Sequence, residues 1–262
     1  MNSNLLSSAE KLKLYQHYIL GQLSELLVPA LGEPLTSIGL TVDCIDLIDP
    51  NAGEIPANTL LSISEDIKAR LKEISEMTHQ FNQLTKGANK PRLVNFNQLI
   101  DETLSIFSER FRSMNIVSQT HLDYAAPNVL VNPILSKYFI LDLLLMAHDF
   151  LGEQVFDPSR QTKIRKSLSL KYYGLGSKNV LSLRFMSGSN LNGSEGDFQP
   201  ENHLVPKKLS NLNLMIAEEL SAALGIDFRT TTQLDSQYGT LIHCEAQFPV
   251  DANLNHVLEQ VS

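Results

Sequence analysis

Apolar residues recur at helical spacing along the first 86 residues, in two separate runs. The second run forms one stripe of apolar side chains: Leu60, Ile63, Ile67, Leu71, Ile74, Met77, Phe81 and Leu84. Their mean spacing of about 3.4 residues is close to the 3.5-residue repeat of a coiled-coil seam. The first run extends from Leu12 to Ile45, and the turn-rich segment 49–56 separates the two. The pattern predicts a helical hairpin. Because a lone hairpin buries only one stripe, we expect two copies to form a dimeric four-helix bundle.

Two prolines, Pro29 and Pro34, fall within the first predicted helix. Each lacks a backbone donor and crowds the carbonyl four residues earlier. We therefore expect the first helix to kink, or to split near Gly32.

The pattern changes after Thr85–Pro91, a polar segment with glycine and proline that is typical of a linker. Strands and helices then alternate, in the predicted order strand Arg92–Val94, helix Asn97–Phe111, strands Ile116–Leu122 and Val129–Val131, helix Pro133–Leu151, strands Ser167–Tyr173 and Val180–Met186, helix Leu209–Leu224, and strands Ile226–Thr232 and Thr240–Pro249. This mixture predicts an α/β sandwich, with helices on one face of a mixed sheet. The predicted domains are a helical hairpin dimerisation domain over 1–86, the sandwich over 91–250, and a tail over 251–262.

Composition narrows the class of protein. The chain has 262 residues, of which 43% are hydrophobic and 19% charged, as in ordinary globular proteins. Its net charge of −8 argues against nucleic acid or an anionic membrane as the main partner. No apolar run approaches the roughly 18 residues that membrane insertion requires, and the N-terminus lacks the basic start of a secretory signal. The two cysteines, Cys44 and Cys244, form no CxxC motif or Cys/His cluster, so we expect a cytoplasmic location and no disulfide or metal site.

Three segments, taken in order, resemble the histidine kinase core of bacterial two-component signalling. Leu31–Ile38 is similar to the second half of the H-box, and Phe96–Glu102 to the opening of the ATP-binding domain. Val131–Pro133 followed by Phe139–Asp149 is similar to the N-box helix. The resemblance implies a dimerisation and phosphoacceptor hairpin followed by an α/β sandwich of the histidine kinase ATPase type.

The chain departs from that family at the positions that carry out phosphoryl transfer and bind the nucleotide. The phosphoacceptor histidine falls on Pro29, which has no nucleophilic nitrogen. The magnesium-binding asparagine falls on Met146, whose thioether is a poor ligand for a hard cation. The adenine-reading aspartate falls on Met186, an apolar side chain that cannot accept the adenine amino hydrogen.

The glycine-rich phosphate box of the family falls on Asn211–Leu214, where Asn211 and Asn213 replace glycine. A Cβ at these positions crowds the close backbone approach that binds phosphate at a helix N-terminus. Phosphoryl transfer depends almost entirely on positioning and charge stabilisation. These four departures predict a pseudokinase without catalytic residues and without a cofactor.

The sequence thus predicts an inactive histidine-kinase-like protein that binds a response-regulator receiver domain or a histidine kinase and modulates a phosphorelay. Receiver domains dock on the first helix of the family's hairpin, just after the phosphoacceptor. Carried over by position, that surface comprises Glu33, Thr36, Ser37, Leu40 and Thr41.

Two other functions remain open at this point. One is a histidine phosphotransferase that uses a displaced phosphoacceptor, either His17 or His79. The other is a sensor of an apolar ligand, held in the former nucleotide pocket beside Met146 and Met186.

Overall fold

The structure is a computed structural model that describes residues 7–46, 57–85, 90–153, 165–188, 211–235 and 239–250. Several predicted features lie outside the described residues: the turn at 49–56, residues 86–89 of the linker, the polar loop from residue 189 to 206, and the tail 251–262.

The N-terminal region consists of two long helices, as predicted: α1 (Ser8–Asp46) and α2 (Ala57–Thr85). The helix α1 continues through both Pro29 and Pro34, so the predicted split near Gly32 is wrong. Pro29 is exposed, so water can satisfy the carbonyl that the proline leaves without an amide donor.

The apolar stripe of α2 is only partly covered within the chain. Leu60 and Leu71 are 45% and 53% exposed, and the other stripe residues whose burial the structure describes are half-buried. The predicted helix is present, and part of its seam stays accessible to another molecule.

The rest of the chain forms the predicted α/β sandwich. Its elements are β1 (Arg92–Val94), α3 (Phe96–Ser113), β2 (Ile116–Leu122), β3 (Val129–Val131), α4 (Pro133–Glu153), β4 (Arg165–Leu175), β5 (Lys178–Gly188), α5 (Asn211–Leu224), β6 (Asp227–Asp235) and β7 (Gly239–Pro249). Five strands form one sheet in the order β2-β4-β5-β7-β6, and β1 pairs with β3 separately. The sheet is mixed, as predicted, because β2 runs parallel to β4 and the remaining pairs are antiparallel.

Local sequence signals set several of these boundaries. Asn95 caps α3 by accepting a hydrogen bond from the Gln98 amide at 3.3 Å. Asn132 caps α4 by accepting from the amides of Ile134 and Leu135, and Pro133 occupies the first helical position. A two-residue turn joins β4 to β5, and Gly176 supplies the positive φ of 61° that this turn needs.

Aromatic contacts fix the helices on one face of the sheet. The ring of Phe150 on α4 lies 5.5 Å from that of Phe185 on β5, and Phe96 on α3 lies 4.3 Å from Phe248 on β7. Residues 138–147 of α4 are all buried, which explains why this helix has no polar face.

The chain divides into two compact units, one made of Met1–Ile19 with Gly87–Ser262 and the other of Leu20–Lys86. The start of α1 therefore belongs with the sandwich, which differs from the predicted 1–86 domain at its N-terminal end. Tyr15 and Ile19 are buried, and the Lys11 ammonium lies 3.6 Å from the Glu219 carboxylate on α5. Within the described residues, no helix combines the length and apolar character that crossing a bilayer requires.

Candidate functional site

The positions that the resemblance assigns to magnesium and phosphate lie on α4 and α5. Met146 on α4 is 1% exposed, and Asn213 on α5 is also 1% exposed. Asn211 is the first residue of α5, and its side chain falls outside the described part of the chain.

Side chains of the same unit hold Asn213 at both ends of its amide. The Asn213 Nδ2 donates to Asp149 Oδ2 on α4 at 3.3 Å, and its Oδ1 accepts from the Tyr18 hydroxyl at 3.1 Å. Tyr18 belongs to the first turns of α1, which pack with the sandwich. The chain therefore fills, with its own hydrogen bonds, the position where the resemblance expects an open glycine cradle.

The hydrogen bonds continue from Asp149 to α3. His148 Nδ1 lies 3.1 Å from Asp149 Oδ1, and Arg110 Nε donates to His148 Nε2 at 3.3 Å. Because Arg110 can only donate, Nε2 must accept, which leaves the hydrogen of neutral His148 on Nδ1, pointing to Asp149. We call this set of five residues, Tyr18, Asn213, Asp149, His148 and Arg110, the polar relay. It joins α1, α5, α4 and α3.

A magnesium nucleotide does not fit these side chains. The Asp149 carboxylate lies 3.3 Å from Asn213, and its negative charge repels a phosphate placed there. Met146 is packed in the core and offers sulfur where magnesium requires oxygen. Neither a metal ligand nor a phosphate cradle is present at the positions the resemblance assigns to them.

Strand alternation places Met186 on the face of the sheet opposite the helices. Phe185 packs on Phe150 of α4 and so faces the helices. Successive side chains of a strand point to opposite faces, so Met186 points away from the helices and Ser187 points towards them. Ser187 is 4% exposed, whereas Met186 is half-buried. A ligand pocket lined by both Met146 and Met186 is therefore excluded, since α4 packs on the opposite face from Met186.

Sequence reasoning missed a buried acid, Asp142, on α4. It is fully buried, and neither carboxylate oxygen has a hydrogen-bond partner among the described residues. Burial raises the pKa of Asp142 well above its ordinary value, and the nearby charge of Asp149 raises it further. The sequence did carry a signal, because Asp142 is the one charged residue between Phe139 and Ala147.

The neighbouring thiol of Cys244 is also buried. Burial raises its pKa to about 12, a hydrogen bond from Thr230 at 3.9 Å lowers it, and the charge of Asp142 raises it. A thiol held in this form is unreactive, so Cys244 is a core residue.

The predicted docking residues lie on α1. Glu33, Thr36 and Leu40 are exposed, and Ser37 and Thr41 are half-buried. The hydroxyls of Thr36 and Thr41 donate to the carbonyls of Gly32 and Ser37 in their own helix, at 2.8 and 2.9 Å. The spacing of three, four and seven residues puts the set on one helix face. Pro29, one to three turns earlier, is exposed and carries no nucleophile. The alternative phosphoacceptors His17 and His79 are both exposed, on α1 and α2 respectively.

Comparison with known proteins returns similar folds and no close relative. No family model matches the sequence, and no curated protein matches it either. Among solved structures, the chain is similar to Acinetobacter baumannii histidine kinase AdeS, with 12% identity, 85% of this chain and 98% of that chain covered, and a TM-score of 0.42. The catalytic domain of histidine kinase ThkA matches at 18% identity over 61% of this chain and 95% of that chain, with a TM-score of 0.41.

A bacterial phosphotransferase is similar at the same level, with 14% identity, 87% of this chain and 95% of that chain covered, and a TM-score of 0.41. The structural neighbours are thus mainly histidine kinase cores, the class that the sequence resembles. Similarity at this level says nothing about activity.

Proposed function

We propose that this protein is a catalytically inactive histidine-kinase-like signalling protein that binds a receiver domain or a histidine kinase partner. One observation carries the proposal: Asn213, at the phosphate-box position, is buried and bonded to both Tyr18 and Asp149. Buried Met146 and exposed Pro29 support it, since neither can supply the metal ligand or the phosphoacceptor.

The protein would act by binding a signalling partner and withholding it from other proteins, without catalysis. A homodimer formed through the accessible seam of α2 presents two copies of the exposed α1 face around Thr36 and Leu40. A receiver domain bound there is withheld from its own kinase. A kinase partner sequestered in a heterodimer would have the same effect on the phosphorelay.

The nucleotide part of the proposal is tested by thermal unfolding with millimolar magnesium-ATP. A ligand at 100 times its Kd stabilises a protein by about 2.7 kcal/mol, which is readily detected as a shift in Tm. We expect no shift and no ATP-dependent phosphorylation, with an active histidine kinase core as the positive control. A clear rise in Tm with ATP would overturn the proposal.

The partner is tested with purified receiver domains from the native organism. We expect at least one to bind the full chain, and Thr36→Arg and Thr41→Arg to abolish that binding. Ser75→Arg, an exposed site on α2, is the matched control and should bind normally. Equal loss in all three variants would mean that the α1 face is not the docking surface.

A second candidate function is phosphotransfer through His17 or His79, favoured by the exposure of both imidazoles. A phosphorylated receiver domain incubated with the protein decides it. We look for transfer of an acid-labile phosphoryl group to the chain, and for its loss in His17→Ala or His79→Ala. Such a result would establish phosphotransfer and replace the proposal that the protein is inactive.

A further inference from the structure

The strand β2 is an open edge of the five-stranded sheet. It pairs with β4 on one side, and among the described residues no strand pairs with its other side. Its five central residues, Val117 to His121, are all exposed, and Val117 is 62% exposed. Neither face of the middle of this strand is therefore packed by the described residues, and its outer side has no strand partner among them.

The two edge strands of the sheet differ in how strongly their residues discourage pairing with another strand. The opposite edge, β6, carries Asp227, Arg229 and Asp235, and Arg229 forms an ion pair with Asp227 at 2.9 Å. Charges of this kind discourage the addition of another strand. The β2 strand has no lysine, proline or carboxylate, and it pairs with β4 without a bulge over all seven residues. Its sequence therefore permits a further strand to pair with it.

A groove of about 600 Å³ lies at the C-terminal half of β2. Its lining includes Thr120, His121 and Leu122 of β2, Asp101 of α3, and the adjoining Asp123 and Tyr124. Lys171, Tyr172 and Tyr173 of β4 also line it, and Lys171 already has an interaction partner of its own.

The groove combines carboxylates with aromatic rings. Asp101 is exposed, and Tyr124 is 75% exposed. Asp123 accepts a hydrogen bond from the Ala125 amide at 3.0 Å, which holds its carboxylate in place. Carboxylates form charge-assisted hydrogen bonds with cations, and tyrosine faces attract them through cation–π interaction. The charge and the rings of the groove are thus complementary to a lysine or arginine side chain.

We propose that the β2 edge binds an extended segment of a partner protein by strand addition, with a basic side chain of that segment seated in the groove. Main-chain hydrogen bonds to β2 supply the attachment, and the pair Asp101 and Tyr124 supplies the selectivity. This surface belongs to the sandwich and uses none of the α1 docking residues, so it stands independently of the proposed function.

The test uses the full chain, labelled with ¹⁵N, and three short peptides followed by NMR titration. The probes are acetyl-Thr-Val-Lys-Val-Thr-amide, the same peptide with Glu for Lys, and the Lys peptide with alternate amides methylated. We expect the Lys peptide to shift amide signals of β2 and Tyr124 and to bind at least tenfold more tightly than the other two. Equal binding of all three, or shifts confined to other elements, would overturn the proposal.

Two variants and a matched control locate the binding site. Thr120→Lys puts a charge on the edge and should weaken binding at least tenfold, whereas Thr231→Lys, the matched change on exposed β6, should change it less than twofold. Asp101→Asn should reduce the preference for Lys over Glu and leave the fold intact, as shown by unchanged signals elsewhere. Self-association that Thr120→Lys abolishes would show the edge to be an interface between copies, which also contradicts the proposal.

Discussion

Single polar side chains on α4 and α5 decide what the interior of the sandwich can hold. The Asn213 amide donates a hydrogen bond to Asp149, and its oxygen accepts one from the hydroxyl of Tyr18 on α1. Each of these residues is ordinary on a protein surface. Asn213 is the buried member of the three, and a buried amide that loses a partner costs its own desolvation.

The bond between Tyr18 and Asn213 should be measurable as stability. Tyr18→Phe removes the hydroxyl and should lower the free energy of unfolding by about 1–2 kcal/mol, because the buried Asn213 oxygen loses a donor. Urea denaturation gives the value. Tyr124→Phe, a matched change at an exposed ring, should stay within about 0.5 kcal/mol of wild type. Equal effects in the two variants would contradict a special role for Tyr18.

Asp142 predicts a pH-dependent stability. Its pKa is raised in the folded protein, so the folded state holds a proton that the unfolded chain releases near pH 4. The stability that the Asp142 carboxyl contributes is fully present below its pKa in the unfolded chain. This stability is lost as the pH rises towards the pKa of Asp142 in the folded protein. Asp142→Asn removes this dependence, so the variant should gain about 1 kcal/mol or more over wild type at neutral pH.

The measurement is urea unfolding of wild type and Asp142→Asn between pH 4 and pH 8. The difference should be small at pH 4 and should grow as the pH rises. Asp101→Asn, at an exposed carboxylate, is the control and should show no such growth. A variant that is less stable than wild type throughout would rule out this account of Asp142.

At the scale of elements, α2 has an apolar seam that the described chain covers only in part. The seam residues whose burial the structure describes are half-buried or exposed, and Leu71 is 53% exposed. Leu71→Lys should convert the predicted dimer into a monomer, because a charge in an apolar seam loses its hydration without gaining a partner. Sedimentation of the full chain measures the change. Ala69→Lys, at an exposed position on the opposite side of the same helix, should leave the dimer intact.

The elements themselves were largely predictable from the sequence. The bounds of β1, β2 and β3 agree with those of the structure, because turn residues flank each apolar run. The strands β4 and β5 were predicted two residues short at each end, since polar residues such as Lys178 continue a hairpin that pattern alone does not extend. The resemblance gives the position of Met186 along β5, and the face of the sheet that it occupies follows from the alternation of the strand.

At the scale of the whole molecule, the largest difference between the sequence-based prediction and the structure concerns the packing of α1. Periodicity along one sequence predicts a long helix, and it does not say which other segment the helix packs against. Tyr18 and Asn213 are 195 residues apart in the chain, so no local pattern connects them. The division of α1 between two compact units follows from that distant contact and from buried Tyr15 and Ile19.

This division predicts the effect of a truncation. Removing residues 1–19 should expose apolar surface of the sandwich unit and lower its Tm by several degrees, at about 4 °C for each kcal/mol lost. Leu14→Ala, at an exposed position of α1, is the control and should leave Tm nearly unchanged. Calorimetry distinguishes the two. An unchanged Tm after the longer truncation would show that the start of α1 contributes nothing to the sandwich.

The hydrogen bonds around Asn213 tie the proposed absence of nucleotide binding to the stability of the sandwich. A single change of Asn213 to glycine would strip Tyr18 and Asp149 of a common partner before it opened any space for phosphate. Asp149 would then face that space with its charge unshielded, and Met146 would still block the cation. Under the proposed function, this one substitution therefore costs hydrogen bonds without supplying the oxygen ligand that magnesium requires.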